Sequence, residues 1–195
     1  MNFKVKLDFD DLINHSTIIY GETNTYKTHQ TAEFVKFLLE SKNIAPKDIS
    51  ILDFAPSLIT IKNLKVGGKI QDFYKQSDTC NNIIFKGEII PPRLKSSNKK
   101  ELFGFAQENF KKTSEILKIF DENPTKILII NDISIYLHIG GMKLLLNAIN
   151  KSKTFFGNAY FGSSIKRGYA TLFSLQERRK VKSLVKKVEQ SYFTG

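Results

Sequence analysis

The sequence predicts an α/β fold, one domain over residues 1–195 with a largely parallel central sheet of about five strands flanked by helices on both faces. Two observations predict it. Short apolar runs rich in β-branched residues alternate along the chain with stretches of helical periodicity, as strand–helix–strand units require. The chain of 195 residues, 41% hydrophobic and with no internal repeat or low-complexity segment, is also long enough to bury one proper core.

Taken in order, residues 16–20 (STIIY) read as a buried strand. A helix follows from about 27 to 41, with Ala32, Val35, Leu38 and Leu39 on one face and Glu33, Lys36 and Glu40 on the other. Pro46 and Asp48 mark a loop, and residues 50–54 (SILDF) form a second strand stopped by Pro56. Residues 57–98 have no clear period: Gly67-Gly68 and Pro91-Pro92 break regular structure, and 82–85 is a short strand candidate. The segment reads as an insertion or lid over one end of the sheet. Asn98, with Glu101 three residues on, caps a long helix to about Phe120, which Asn123-Pro124 ends. Residues 126–132 (KILIIND) are the clearest central strand. Gly140-Gly141 leads into a helix bearing Met142, Leu145, Leu146 and Ile149, and 154–161 is a fourth strand. A final helix from about Leu175 carries Val181, Leu184, Val185 and Val188, and residues 190–193 form a last short strand.

The chemistry is concentrated between the first strand and the first helix. The spacing G-x-x-x-x-G-K-[ST] makes a loop whose backbone N–H groups cradle phosphates, with Lys on the terminal phosphate oxygens and a hydroxyl for Mg²⁺. Here Gly21 opens the loop and Lys27 and Thr28 close it. Glu22, Thr23, Asn24 and Thr25 lie between, and Tyr26 stands where the second glycine is expected. The helix that follows presents its positive dipole end to an anion. The KILIIND strand delivers Asp132 at its carboxyl end, where ligands of open α/β sheets bind. A coincidental Gly…Lys-Thr and a carboxylate that satisfies a turn are the plain alternatives; strand, spacing and second acidic strand together favour a phosphate site.

With both motifs present, the chain resembles the P-loop NTPase superfamily over residues 16–41 and 126–132, with a variant Walker A motif. The resemblance implies that ATP and Mg²⁺ bind here: the backbone of 22–26 wraps the phosphates, Lys27 contacts the β and γ phosphates, Thr28 ligates Mg²⁺, and Asp132 sits in the outer coordination sphere of that ion. It implies ATP rather than GTP, since no N-K-x-D element occurs, and an ATPase of low intrinsic activity that awaits a partner. Related loops tolerate Ser, Ala or Thr at the Tyr26 position, so the backbone there need not demand a positive φ; the ring is expected to point away from the nucleotide or to stack over a base or partner.

Many hydrolytic members carry Glu directly after the Walker B Asp, where this chain has Ile133. The RecA-like branch and several nucleoside kinases draw the acid from the strand after the P-loop helix instead, which makes Asp53 the candidate general base; the alternative is a carboxylate that caps the turn before Pro56, and Glu22 is a further carboxylate inside the loop. Ser163 and Ser164 stand where related proteins place a polar γ-phosphate sensor. Among Arg93, Arg167, Arg178 and Arg179, the choice for a charge-stabilising finger is Arg167, just after the fourth strand. His15, His29 and His138 are scattered, and with one cysteine there is no zinc spacing. Three other functions fit the same residues: a small-molecule or nucleoside kinase with 57–98 as lid, a nucleic-acid-associated RecA-like ATPase, and a module that holds ATP without hydrolysing it.

The formal net charge is +11, and between Lys166 and Lys187 eight basic residues face a single acid, Glu177. Such a balance fits a polyanionic partner, nucleic acid or an acidic protein, as well as a merely solubilising surface. Cys80 is the only cysteine, so no internal disulfide is expected, and a reduced, cytoplasmic setting is the simplest expectation. No apolar run reaches the roughly 18–20 residues of a membrane span, and MNFKVKLDFDD lacks a signal-peptide core.

Overall fold

The computed structural model describes residues 5–61, 64–165 and 168–195. Among them eight strands form: β1 (Ser16–Gly21), β2 (Ile49–Asp53), β3 (Ile59–Ile61), β4 (Leu64–Val66), β5 (Asn81–Asn82), β6 (Ile127–Asn131), β7 (Thr154–Tyr160) and β8 (Gln190–Phe193). Six of them make one sheet in the order β5-β2-β6-β7-β1-β8, parallel throughout, while β3 and β4 pair as a separate antiparallel hairpin. The helices are α1 (Lys27–Lys36), α2 (Pro92–Lys95), α3 (Lys99–Glu122), α4 (Ile133–Leu137), α5 (Met142–Lys151) and α6 (Thr171–Val185).

Parallel strands covered on both faces must bury both alternating sets of side chains. Ile18, Leu52, Leu128 and Ile130 point into a core shared with Leu117, Phe120, Leu145, Val181 and Leu184 of α3, α5 and α6. Their neighbours Ile19, Ile51, Ile127 and Ile129 point the other way, onto Phe34, Val35 and Leu38 after the loop. The α/β architecture with helices on both faces is therefore as the sequence predicts, with six strands where about five were expected. The extra strand, β5, comes from the middle segment and pairs with β2 at the sheet edge.

Three element boundaries differ from expectation. The first helix is α-helical only to Lys36 and finishes as a π-helical turn over Phe37–Ser41. The last helix begins at Thr171, because Ala170 and Phe173 find a private apolar contact with Leu102 and Ala106 of α3. The short helix α4 starts directly from the end of β6. No helix among the described residues is long and apolar enough to cross a membrane.

The register brings the carboxyl ends of four strands to one rim: Gly21 lies opposite Tyr160, and Asp53 opposite Asn131. Gly21 is required there by close approach, since a Cβ would strike the Thr194 side chain and lie 2.9 Å from the Gly195 carbonyl oxygen.

Candidate functional site at the carboxyl rim of the sheet

The loop between β1 and α1 reverses its backbone hand twice. Asn24 (φ 57°) and Tyr26 (φ 60°) both adopt the left-handed conformation, and such alternation turns successive backbone N–H groups toward one concavity. Tyr26 takes a positive φ that the resemblance did not demand: the position keeps the geometry a glycine would supply at no cost, and a bulky residue bears it. The N–H groups of Asn24, Thr25, Lys27 and Thr28 have no hydrogen-bond partner among the described residues. They sit at the N-terminus of a ten-residue α-helix, where the dipole adds to their donor field.

Lys27 folds its amine back into this concavity. Nζ donates to the Glu22 carbonyl oxygen at 2.5 Å and to Thr25 Oγ1 at 3.2 Å. Burial pulls its pKa down to about 8, against the opposing pull of the Asp132 and Glu22 carboxylates. Tyr26 is 46% exposed and stands at the lining of the cavity in front of the loop.

Glu22 serves the loop as a brace. Its carboxylate accepts from Ser163 N–H (2.7 Å), Ser164 N–H (3.1 Å), the Ser164 hydroxyl (2.6 Å) and Thr23 N–H (2.9 Å). Burial opposes ionisation, but these donors outweigh it and bring the group down to about 2. Ser163 and Ser164 are therefore committed to Glu22. On the other side, Thr194 Oγ1 and Thr25 Oγ1 lie 2.7 Å apart, and Glu22 N–H donates to the Gly195 carbonyl at 2.7 Å.

Behind the loop runs a buried amide network that no sequence motif announced. Asn131, the last residue of β6, accepts from the Thr28 hydroxyl at 3.3 Å and from Asn158 Nδ2 at 2.7 Å. Its own amide donates to Asp53 Oδ1 (2.8 Å) and the Gly68 carbonyl (3.0 Å). Asn158 also donates to Thr31 Oγ1 at 2.8 Å and accepts from Asp132 N–H at 3.0 Å. The visible signal for both is a polar amide inside an otherwise apolar strand, IIND and FGNAY.

Asp53 lies at the strand end where it was expected, and its carboxylate is occupied. It accepts from Asn131 and from the N–H groups of Ala55 (3.2 Å) and Ile70 (2.8 Å), with Lys69 Nζ 3.7 Å away. Burial raises its pKa, and these partners only partly offset that. Asp53 braces the rim and does not line the cavity in front of the loop.

That cavity, about 540 Å³, is lined by the whole loop from Thr23 to Thr28 and by Asp132, Arg93, His138 and Tyr160. Asp132 follows β6 in the left-handed conformation (φ 55°) and accepts from the Ser134 hydroxyl. Burial raises its pKa, against Ser134, His138 and Lys27. Farther in, Arg93 grips Glu177 through both terminal nitrogens and stacks 4.9 Å over the Tyr160 ring, while His138 Nε2 lies 3.2 Å from the same carboxylate. Burial would raise Glu177, but Arg93 and His138 hold it below the ordinary carboxylate range. Arg93 and Glu177 are 84 residues apart in sequence, so their pairing has no local signature. Arg167 lies outside the described residues.

Among the described residues no group of three or more His, Cys, Asp or Glu gathers as a metal cage. Mg²⁺ beside phosphates needs none, because one or two protein oxygens and the phosphates themselves suffice; the Thr28 hydroxyl, which lines the cavity, is one such oxygen, whereas the Asn131 amide oxygen already accepts two hydrogen bonds behind the loop. No protein-family model matches the chain, and no curated protein matches it either.

Proposed function

We propose that the protein binds Mg²⁺-ATP in the loop of residues 21–28 and hydrolyses it slowly, with Asp132 rather than Asp53 as general base. The observation that carries this is the convergence of four unpartnered N–H groups (Asn24, Thr25, Lys27 and Thr28) with the buried Lys27 amine in one concavity. A polyanion satisfies all five at once.

In this mechanism the phosphates take up the free loop N–H groups, and Lys27 exchanges Glu22 and Thr25 for the β and γ oxygens as an ammonium. Thr28 would hold a magnesium ion together with the phosphates, and the ion would supply positive charge beside the departing diphosphate. Asp132 takes the proton of a water as its oxygen bonds the γ phosphorus and the bond to the bridging oxygen breaks. Burial has made Asp132 a stronger base, and Ser134 fixes its orientation. An uncharged amide beside Thr28 and a base one methylene shorter than glutamate both favour slow turnover.

Thermal denaturation with and without Mg²⁺-ATP tests the site. Ligand at a hundred times its Kd should stabilise the protein by about 2.7 kcal/mol, and Lys27→Ala should remove the shift; an equal shift in the variant would overturn the assignment. One observation favours a second reading, transfer to a small acceptor: the cavity continues past Asp132 to an apolar wall of Pro91, Pro92, Ile135 and Ile165. Release of inorganic phosphate separates hydrolysis from transfer.

A further inference from the structure

We infer that the outward face of α6, joined to the aromatic cluster beside β8, is a docking surface for single-stranded nucleic acid. The charge on this helix is divided by burial. Glu177, its one acid between Lys166 and Lys187, is fully buried against Arg93 and His138, whereas Arg178, Arg179, Lys182, Lys186 and Lys187 are exposed. The outer surface therefore carries no compensating charge from the helix itself. Arg178, Lys182 and Lys186 recur every fourth residue, which sets three cations along one side at roughly 6 Å steps.

A stacking platform adjoins this row. The Arg178 guanidinium lies 4.9 Å over the Phe161 ring, and Phe161 packs against Tyr20 (5.5 Å) and Phe193 (6.4 Å). Phe193 is 53% exposed, although it is the kind of side chain that burial favours. A row of cations tracking a backbone beside an exposed ring is how proteins hold single strands, phosphates on the charges and bases on the aromatic face. A duplex offers no unstacked base to Phe193, and an acidic protein or an anionic bilayer offers none either; the ring, more than the charge, selects the single strand.

The same two elements reach the cavity and its loop. The inner face of α6 carries Glu177 to Arg93 in the cavity wall, and β8 leads directly into Thr194 and Gly195, which contact Thr25 and Glu22. A strand lying across α6 and Phe193 thus bears on one wall of the cavity and on one support of the loop. Stimulated turnover rests on the ATP reading above; strand binding does not, and is measured without nucleotide.

Fluorescence anisotropy of labelled oligo(dT) and oligo(U) 20-mers with the intact chain, across a salt series, tests the surface. Log affinity should fall linearly with log salt, and removing one phosphate contact should flatten the slope by about 0.7. Arg178→Ala, Lys182→Ala and Lys186→Ala should each do so. Phe193→Ala should weaken binding about five- to a hundredfold while leaving the slope alone, and circular dichroism melts confirm that each variant is folded. Lys27→Ala should bind strands as the unaltered protein does, even if ATP binding is never found. Absence of binding at 50 mM salt, equal competition by duplex, competition by vesicles with 25% phosphatidylserine, or an unchanged affinity of Phe193→Ala would each overturn the proposal.

Discussion

The Thr28 hydroxyl donates to the side-chain oxygen of Asn131, 3.3 Å away, and the carboxylate of Asp132 stands one residue farther along the chain. A neutral amide therefore occupies the end of the central strand, and the acid lies beyond it, in the cavity. Asn131 cannot be exchanged for an acid without consequence, because its amide donates to Asp53. Asn131→Asp should set two carboxylates against each other out of water and cost about 2–4 kcal/mol at neutral pH. Urea denaturation should show the loss shrink at pH 5, where one of the pair takes a proton.

Asp132→Asn keeps the shape of the side chain and removes its basicity. Turnover should fall by about 10²–10⁴, while ATP-dependent thermal stabilisation persists. Phosphate release measured on the purified variant decides it, and an undiminished rate would take the base elsewhere.

Tyr26→Gly should raise stability. The left-handed backbone at Tyr26 costs roughly 1–2 kcal/mol in a residue with a Cβ, against which glycine gives back roughly 0.5–1 kcal/mol of chain entropy; a net gain of about 0.5–1 kcal/mol is expected. Nucleotide binding should survive. Tyr26→Ala, which keeps the strain and loses the ring, isolates any contact the ring makes.

Lys27 gives the stability a defined pH dependence. Its folded pKa, about 8, lies below the ordinary lysine value, so the unfolded chain holds more protons between the two. Stability from this group therefore rises as pH increases from about 8 to about 10.5. ATP affinity should move the opposite way, because the anion wants the ammonium form. Calorimetry near pH 8 in buffers of different ionisation enthalpy should detect proton uptake on binding, and the uptake should fade well below pH 8, where Lys27 already carries its proton.

Much of this fold is legible in the sequence because parallel strands buried on both faces must be apolar without interruption, as ILII in β6 is. The loop is legible because Gly21, Lys27 and Thr28 act within eight residues of chain. Harder to see are elements too short to have a period: the three-residue strands β3 and β4, and the two residues of β5. The Arg93–Glu177 pair joins distant segments, and helical spacing reveals only that Glu177 shares a face with Val181 and Leu184. The positive φ at Tyr26 has no signal in the residue itself, since tyrosine seldom adopts it. Asp53 is placed correctly at the rim, yet three other donors, the Ala55 and Ile70 N–H groups and the Asn131 amide, already claim its oxygens.

The sheet order has a consequence during synthesis. β1 is made first, but both of its neighbours, β7 and β8, are made last. At ribosomal rates of roughly 5–20 residues per second, the opening strand waits on the order of ten to thirty seconds for its partners. Throughout that interval STIIY lacks the strands that will pair with it, and the turn that follows it lacks Thr194 and Gly195, which touch it in the finished sheet.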